Sequence, residues 1–192
     1  MADRNAIVVT GTPGVGKTTA AKRIAEKGDF KLIELNKIAS KGGIAGKDPD
    51  RDSLIINPRK IRATLRKILG DKNETFIIEG HFGDLVPEKF VRLAIVLRID
   101  PLMLGERLRN RGYSEEKVRE NVEAELVDSC LISAVEAFGN DRVMEIDATD
   151  LDGDSLTDIV LSTINGKAGM PAGSVNWMLK LEEEGKLQKL LR

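Results

Sequence analysis

Cysteine, histidine and large aromatic residues are scarce in this 192-residue chain, which has one Cys, one His, one Trp and one Tyr. The single cysteine, Cys130, excludes an internal disulfide and a zinc site made of four cysteines. The chain has no uncharged apolar stretch near the roughly 18–20 residues that span a membrane. Its first residues enter a strand-like run without the apolar segment of a signal peptide. We therefore expect no membrane partner and a cytoplasmic location, or a nuclear or cytoplasmic one if the source is eukaryotic.

An excess of charge of either sign is also absent. Thirty Lys and Arg residues face 31 Asp and Glu residues, for a net charge of −1. This balance excludes a surface that is basic throughout and leaves room only for a local basic patch. Hydrophobic residues make up 41% and charged residues 32% of the chain, as in an ordinary globular domain. The length suits one domain with a core rather than two.

Apolar runs alternate with helical patterns along the first 165 residues, which is typical of βα units around a parallel sheet. The apolar runs predict five strands, at residues 6–10, 31–34, 75–79, 93–99 and 143–147. The helical patterns predict helices at residues 17–27, 58–69, 101–111, 114–138 and 151–165. We therefore predict an α/β fold with a five-stranded parallel sheet flanked by helices, in a core spanning residues 1–165.

Residues 166–192 differ in character from the core. Three glycines and a proline form a linker, and a helical pattern with an apolar side starts near Ser174 and includes Trp177 and Leu181. The pattern predicts a C-terminal helical extension. Its apolar side either packs back on the core or binds a partner or a second copy, and the sequence leaves both interpretations open.

Residues 11–18 match the phosphate-binding pattern G-x-x-x-x-G-K-[ST] in full and lie between a predicted strand and a predicted helix. Glycines let such a loop turn so that successive N–H groups point at one anion, and the helix dipole adds to the attraction. In this pattern Lys17 bridges the β- and γ-phosphates, and the Thr18 hydroxyl is a ligand of Mg²⁺. We therefore predict a nucleoside-triphosphate site.

Such a site needs a carboxylate near the metal ion. Glu79 is the candidate, because it ends a predicted parallel strand where a carboxylate faces the phosphate loop. Asp100 ends the next strand and is the alternative, although its place before Pro101 also suits a helix N-cap. His81, the single histidine, either has no task, or orients an attacking water or contacts a transferred phosphoryl group.

Three arginines follow one another at alternate positions from 107 to 111. Arg107 and Arg111 share one face of the predicted helix, whereas Arg109 lies on another. Two guanidinium groups on one face can spread the charge of a phosphoryl-transfer transition state. The alternative is a solvated basic face. Gly112 beside them suits the hinge of a lid.

The segments GTPGVGKTT (residues 11–19), EGH (79–81) and ERLRNRGYSEEKVREN (106–121) together resemble the adenylate kinase isoenzyme six family. Its eukaryotic members are also called coilin-interacting nuclear ATPase, and related archaeal and yeast proteins are small-ribosomal-subunit assembly factors. The resemblance covers about residues 5–165. It implies a P-loop nucleoside-monophosphate-kinase fold, with a nucleoside-monophosphate-binding region at about 36–69 and a short lid at about 107–121.

The resemblance also implies an activity and partners. The activity would be adenylate kinase (ATP + AMP ⇌ 2 ADP) together with ATP hydrolysis, and Mg²⁺ would be the cofactor. The partners would be a small-subunit ribosomal protein of the S-eleven family and, through that complex, pre-ribosomal RNA during small-subunit maturation. Two alternatives stay open. One is a nucleotide-switched assembly chaperone with little kinase activity, whose candidate surfaces are the loop at residues 42–51 and the tail helix. The other is a kinase for another small nucleotide or nucleoside.

The resemblance can be carried over residue by residue. Catalytic roles fall to Lys17, Glu79, His81, Arg107 and Arg111, and metal binding falls to Thr18 and Glu79. ATP would contact Thr12, Pro13, Gly14, Val15, Gly16, Lys17, Thr18 and Thr19 with its phosphates, and the loop around Ala148 and Thr149 with its adenine.

The chain departs from the family pattern in three places. It has Glu79 where the family has Asp. Lysines follow the second strand where the family has an arginine, for which Arg51 or Arg62 would have to substitute. The tail at residues 166–192 has no counterpart.

Overall fold

The computed structural model describes residues 4–47, 54–70 and 74–190. The strands within these ranges are β1 Ala6–Thr10, β2 Lys31–Glu34, β3 Ile44–Lys47, β4 Leu54–Ile56, β5 Phe76–Glu79, β6 Val91–Arg98, β7 Val143–Asp147 and β8 Met170–Pro171. The α-helices are α1 Lys17–Gly28, α2 Leu35–Ile38, α3 Pro58–Ile68, α4 Pro101–Asn110, α5 Glu115–Leu126, α6 Ser129–Phe138, α7 Gly153–Ile164, α8 Trp177–Glu183 and α9 Leu187–Leu190. None of these helices has the length and apolarity of a membrane span.

One sheet organises the molecule, with the strand order β2-β5-β1-β6-β7-β8. The first five strands are parallel, which confirms the predicted α/β class and the five-stranded parallel sheet. A sixth strand, β8, pairs antiparallel with β7 at the edge. It was not predicted, because a strand of two residues between glycines has no periodicity to detect.

A second, two-stranded sheet lies between β2 and β5 in the chain. The antiparallel pair β3 and β4 forms it. The stretch at residues 42–51 was expected to be a loop, but its residues 44–47 form β3. Residues 48–51 of that stretch lie outside the described residues, so this candidate partner surface is described only in part.

The central strand β1 shows why the core has two layers. Successive side chains of a strand point to opposite faces of the sheet, so Ala6 and Val8 pack in one layer and Ile7 and Val9 in the other. Side chains of α3 and α6 complete the first layer, and those of α1, α4, α5 and α7 complete the second. All four β1 side chains are fully buried. The loop that follows β1 therefore starts from a rigid support.

The prediction of a single helix over residues 114–138 is wrong. The structure has two helices, α5 and α6, with a break at Val127 and Asp128. Asp128 has a φ of 57°, a left-handed conformation that Asp tolerates better than most residues. Its carboxylate accepts a hydrogen bond from Arg98 Nη2 on β6. A tertiary contact therefore accompanies the break. The helical periodicity of the sequence gives no sign of that contact.

The C-terminal extension packs back on the core, which was the first of the two alternatives. Trp177 and Leu181 on α8 are fully buried and lie in one cluster with Leu126, the last residue of α5. Met178 and Leu179 on the same helix are exposed. The part of the apolar side that contains Trp177 and Leu181 is thus covered by the chain itself.

Candidate active site

The candidate residues gather at the edge of the sheet where the parallel strands end. The phosphate loop, residues 11–16, follows β1; Glu79 is the last residue of β5; Asp100 follows β6 and Ala148 follows β7. These four strands are consecutive neighbours in the sheet. Open α/β sheets bind ligands in the crevice outside the carboxyl ends of their strands, and this crevice is therefore the candidate active site.

The phosphate loop turns sharply from β1 into α1. Gly11, Gly14 and Gly16 have φ angles of 139°, 101° and 107°, in the region that glycine adopts without strain. A Cβ on Gly11 would lie 2.4 Å from the Leu97 carbonyl oxygen, so a side chain there would clash with β6. The first turn of α1 contains no acidic residue and has no side-chain cap. Its free N–H groups and dipole therefore face the crevice as an anion site.

Lys17 is buried at the start of α1. Its Nζ donates a hydrogen bond to the Thr12 carbonyl oxygen at 2.9 Å. Burial lowers the pKa of Lys17 from 10.5 to about 8, because the ammonium loses its hydration. Lys17 takes part in none of the ion pairs among the described residues. A phosphate group in the loop would supply the missing counter-charge.

Thr18 and Glu79, the two predicted metal ligands, contact each other. The Thr18 hydroxyl donates to Glu79 Oε2 at 3.2 Å. Burial raises the pKa of Glu79, while the Thr18 hydrogen bond and the charge of Lys17 lower it. Magnesium in nucleotide sites takes one or two protein oxygens and completes its shell with phosphates and water. A hydroxyl and a carboxylate side by side fit that requirement. The described residues hold no cluster of three or more His, Cys, Asp or Glu that could bind a metal without nucleotide.

Asp100, the alternative carboxylate, is engaged elsewhere. Its Oδ1 accepts hydrogen bonds from the backbone N–H groups of Leu102 at 2.8 Å and Met103 at 3.4 Å. Asp100 therefore caps the N-terminus of α4. This leaves Glu79 as the carboxylate beside Thr18.

His81 lies just beyond β5, next to the phosphate loop. Burial lowers its pKa from 6.5 to about 4, and the positive charge of Lys17 acts in the same direction. The imidazole is therefore neutral at pH 7, with one nitrogen able to accept a proton. His81 lines a cavity of about 270 Å³ together with Asn36, Ala39, Ser40, Ile44, Ile56 and Phe82. Most of these residues belong to the predicted nucleoside-monophosphate-binding region.

The predicted lid consists of the end of α4, a turn at Gly112 and the first half of α5. Arg107 is half-buried on α4, and its Nη2 donates to Met103 Sδ at 3.4 Å. Arg111 lies close enough to Lys17 for its positive charge to contribute to the lowered pKa of Lys17. Of the three arginines, Arg109 alone forms an ion pair within the described residues, with exposed Glu115. Arg107 and Arg111 therefore remain the candidates for a phosphate ligand.

The predicted adenine loop is tied to the end of β6. The Ala148 N–H donates to the Arg98 carbonyl oxygen at 2.8 Å. The Thr149 hydroxyl accepts from the Asp100 N–H at 2.9 Å and donates to Asp147. The Thr149 N–H also donates to Asp147 Oδ1, at 3.0 Å, so the Thr149 side chain and both backbone N–H groups of the predicted adenine loop are engaged within the protein.

The acceptor side, by which we mean the predicted nucleoside-monophosphate-binding region, is described only in part. Arg51, one substitute for the family's arginine, lies outside the described residues. Arg62, the other, is exposed on α3, and its Nη2 donates to the Asp84 carbonyl oxygen at 3.4 Å. A larger cavity, about 640 Å³, lies between β2, α2 and α3, where Lys37 and Lys41 line it. His81 does not line that larger cavity, whereas it does line the smaller one.

Two buried residues below the phosphate loop, Glu125 and Arg98, were not predicted as part of the site. Thr12, predicted to contact phosphate, directs its hydroxyl into the protein and donates to Glu125 Oε2 at 2.5 Å. Glu125 in turn pairs with Arg98, and both are almost fully buried. An arginine within the apolar run at residues 93–99 was a usable signal of a buried charge. Glu125 gave no signal, because it is one of many acidic residues in a charged helix.

Comparison with known proteins agrees with this geometry. A family described as "AAA domain" matches residues 7–128. A protein of Pyrococcus abyssi is 39% identical over 171 residues, covering 89% of this chain and 90% of the relative. A protein of Methanothermobacter thermautotrophicus is 38% identical over 177 residues, covering 90% and 99%. Both carry the name "Putative adenylate kinase".

Solved structures give the fold alone. A gluconokinase from Sinorhizobium meliloti superposes with a TM-score of 0.53 at 17% identity, over 88% of this chain and 95% of the other. An uncharacterised protein from Eubacterium ventriosum gives 0.54 at 17% identity, over 85% and 99%.

Proposed function

Because this chain belongs to the AAA-domain family matched by residues 7–128, we propose that it is a P-loop adenylate kinase that converts ATP and AMP into two ADP and also hydrolyses ATP. One observation carries the proposal. The Lys17 ammonium and the Thr18–Glu79 pair meet at the start of α1, and His81 lies close enough to Lys17 for the charge of Lys17 to lower the pKa of His81. The similarity to the two proteins named "Putative adenylate kinase", over 90% or more of their length, supports the choice of substrates.

Phosphoryl transfer depends on positioning and charge stabilisation and needs no protein nucleophile. Lys17 and the amides at the start of α1 bind the β- and γ-phosphates. Thr18 and Glu79 would hold Mg²⁺, which when bound to the triphosphate supplies charge neutralisation. Arg107 and Arg111 approach from the lid and stabilise the charge of the transferred group. Burial of Lys17 and Glu79 strengthens the interactions of these two groups, because water screens them less.

His81 separates the two reactions by their chemistry. When AMP is the acceptor, an oxygen of its phosphate attacks the γ-phosphorus and the β–γ bridging bond breaks, so no proton has to be removed. When water attacks, it must lose a proton, and His81, whose imidazole is neutral at pH 7, would accept it. We assign AMP to the cavity of about 270 Å³ that His81 lines.

The proposal is tested by measuring ADP and free phosphate formed from ATP and Mg²⁺, with and without AMP. We expect ADP to form much faster with AMP, two per ATP consumed, and free phosphate to form slowly in both cases. ADP and free phosphate formed at a rate that AMP does not change would make the protein an ATPase and reject the kinase reaction.

We further propose a part in small-subunit ribosome maturation, in the cytoplasm or, in a eukaryote, the nucleus. The resemblance to isoenzyme six proteins supports an S-eleven ribosomal protein as partner and pre-ribosomal RNA as a contact of that complex. Helix α3 supports the RNA contact, because it carries five basic residues and no acidic one. The five are exposed: Arg59, Lys60, Arg62, Arg66 and Lys67. In a chain of net charge −1, this is the kind of local basic patch that binds phosphate backbones.

Charge reversal tests the basic surface. Combined Arg66→Glu and Lys67→Glu should weaken binding of a small-subunit RNA fragment, in the presence of purified S-eleven protein, and make it less salt-dependent. The matched control reverses two other exposed charges, Lys89 and Arg92, and should bind like the wild type. Equal binding by the two double variants would reject α3 as the RNA surface. Failure of the wild type to capture the S-eleven protein would reject that partner.

Two alternative functions stay open. The lysines Lys37 and Lys41, in place of an arginine after β2, favour a kinase for another small nucleotide or nucleoside. The same assay with a panel of acceptors would reveal one that outperforms AMP. A nucleotide-switched chaperone with little kinase activity would instead show partner binding that depends on nucleotide and negligible transfer to any acceptor.

A further inference from the structure

A cluster of charged side chains lies beneath the phosphate loop, outside the chemistry described above. We define the charge cluster as Arg98, Glu125, Asp128 and Glu145. The Arg98 guanidinium donates to Glu125 Oε1 at 2.7 Å and to Glu145 Oε1 at 2.5 Å, and it also pairs with Asp128. Arg98, Glu125 and Glu145 are each at most 2% exposed. Burying such charges costs hydration, which is recovered only when every group is well paired.

The two carboxylate oxygens of Glu125 serve different parts of the molecule. Oε2 accepts the hydrogen bond from the Thr12 hydroxyl in the phosphate loop. Oε1 accepts from Arg98 and, at 3.0 Å, from the indole Nε1–H of Trp177. One side chain therefore bridges the phosphate loop and α8, which are more than 150 residues apart in the chain.

The same cluster holds the start of the C-terminal tail, which we define as residues 174–190. Glu145 Oε2 accepts hydrogen bonds from the backbone N–H groups of Ser174 at 2.8 Å and Val175 at 3.4 Å. Trp177 then reaches Glu125 and is 1% exposed. Three hydrogen bonds from the beginning of the tail thus end on carboxylates that also bind Arg98.

We propose that Glu125 is a positioning residue that couples the tail to nucleotide binding at the phosphate loop. Its carboxylate holds Thr12, whose carbonyl oxygen accepts the Lys17 ammonium. The docked tail completes the hydrogen bonds of Glu125 and so keeps Thr12 and Lys17 in place for the phosphates. Coupling is reciprocal: a docked tail raises nucleotide affinity, and bound nucleotide holds the tail more firmly. This inference rests on the proposed nucleotide binding.

The first test breaks the bridge at the tail. Trp177→Phe removes the Nε1–H donor and keeps an aromatic ring, and Leu179→Ala, at an exposed position of the same helix, is the control. Binding of a non-hydrolysable ATP analogue with Mg²⁺ is measured by calorimetry on the full chain. We expect the Kd to rise about tenfold in Trp177→Phe and to stay at the wild-type value in Leu179→Ala. Wild-type affinity in a folded Trp177→Phe protein would mean that the contact is structural only and would overturn the proposal.

The second test breaks the bridge at the phosphate loop and observes the tail. Thr12→Val removes the hydroxyl but keeps the shape of the side chain and all contacts of the tail. Trp177 is the single tryptophan, so its fluorescence reports the surroundings of α8. Saturating analogue should change Trp177 emission in the wild type and leave it unchanged in Thr12→Val. The same change in both proteins would overturn the coupling. A wild type that binds no analogue at all would instead reject the proposed function and this inference with it.

Discussion

The phosphate side of the site is one continuous loop and one neighbouring strand end, whereas the acceptor side draws on several short elements. Lys17, at the start of α1, and Glu79, at the end of the inner strand β5, are both buried and hydrogen-bonded. On the acceptor side, α3 buries only the stripe of Ile61 and Leu65 and exposes the rest. Rigid, desolvated groups contribute most to charge stabilisation. Substitutions should therefore cost far more on the phosphate side, and the predictions below test that difference.

Lys17→Ala should have the largest effect. It removes the ammonium that binds the β- and γ-phosphates, and we expect turnover to fall about a thousandfold. Lys27→Ala is the control on the same helix, since Lys27 is exposed and pairs with exposed Asp158. Steady-state assays of ADP formation on both variants decide the matter. Largely intact turnover in Lys17→Ala would refute the role given to this lysine.

Glu79→Gln should reduce turnover by a few hundredfold, in the order of magnitude seen when one charge-stabilising group is lost, and raise the Mg²⁺ concentration needed for half-maximal rate. The amide keeps the size of the side chain but loses the negative charge that would hold the cation. Glu79→Asp keeps the charge and is the matched control. Titrating the rate with Mg²⁺ gives both quantities. Equal Mg²⁺ dependence in Glu79→Gln and the wild type would show that this carboxylate does not serve the metal.

His81→Ala should lower ATP hydrolysis about a hundredfold and affect transfer to AMP much less, because only water has to lose a proton. ATP affinity should stay unchanged. Free phosphate and ADP measured in the same reaction separate the two activities. Loss of ATP binding would show instead that His81 has a structural role.

Raising the pH should weaken nucleotide binding through Lys17. Burial favours the neutral amine and brings the pKa of Lys17 to about 8, so the positive charge is present below this pH and lost above it. We expect the Kd of the non-hydrolysable analogue to rise about tenfold between pH 7 and pH 9. Lys17→Arg is the control, because a guanidinium stays charged in this range. An equal rise in Lys17→Arg would assign the pH dependence to another group.

Arg62→Ala should have the smallest effect and would sharpen the contrast between the two sides. Arg62 is exposed, and its one hydrogen bond among the described residues is long and goes to a carbonyl oxygen, so solvent screens its charge. We expect the KM for AMP to rise about threefold with kcat unchanged. A loss comparable with that of Lys17→Ala would mean that the acceptor side is as firmly constructed as the phosphate side.

The parts of the fold that could be predicted are those that a short, continuous segment of sequence specifies. The five parallel strands are apolar runs of four to eight residues, and the phosphate loop is a continuous motif. The break between α5 and α6 could not be predicted. It lies at Asp128, whose carboxylate contacts Arg98 on β6, and that contact is not visible in the local sequence. Strand β8 escaped prediction for the related reason that a two-residue strand is defined by its neighbour.

The candidate site divides in the same way. Lys17, Thr18, Glu79 and His81 were identified from spacing and from their place at strand ends. Glu125 was not, although it touches Thr12, because the two residues are 113 positions apart. No local pattern distinguishes a buried glutamate from the exposed ones around it.

By itself the sequence determined that this chain is an α/β protein with a phosphate loop, because a βα turn with its glycines and lysine is a local structure that a few consecutive residues specify. Only the tertiary structure decided that the tail docks on the core, that Asp100 caps a helix and that one buried carboxylate joins the loop to α8. These outcomes depend on which polar groups are buried next to one another and so lose their hydration. That is a property of the packed molecule, because desolvation and pairing are set by neighbours distant in the chain.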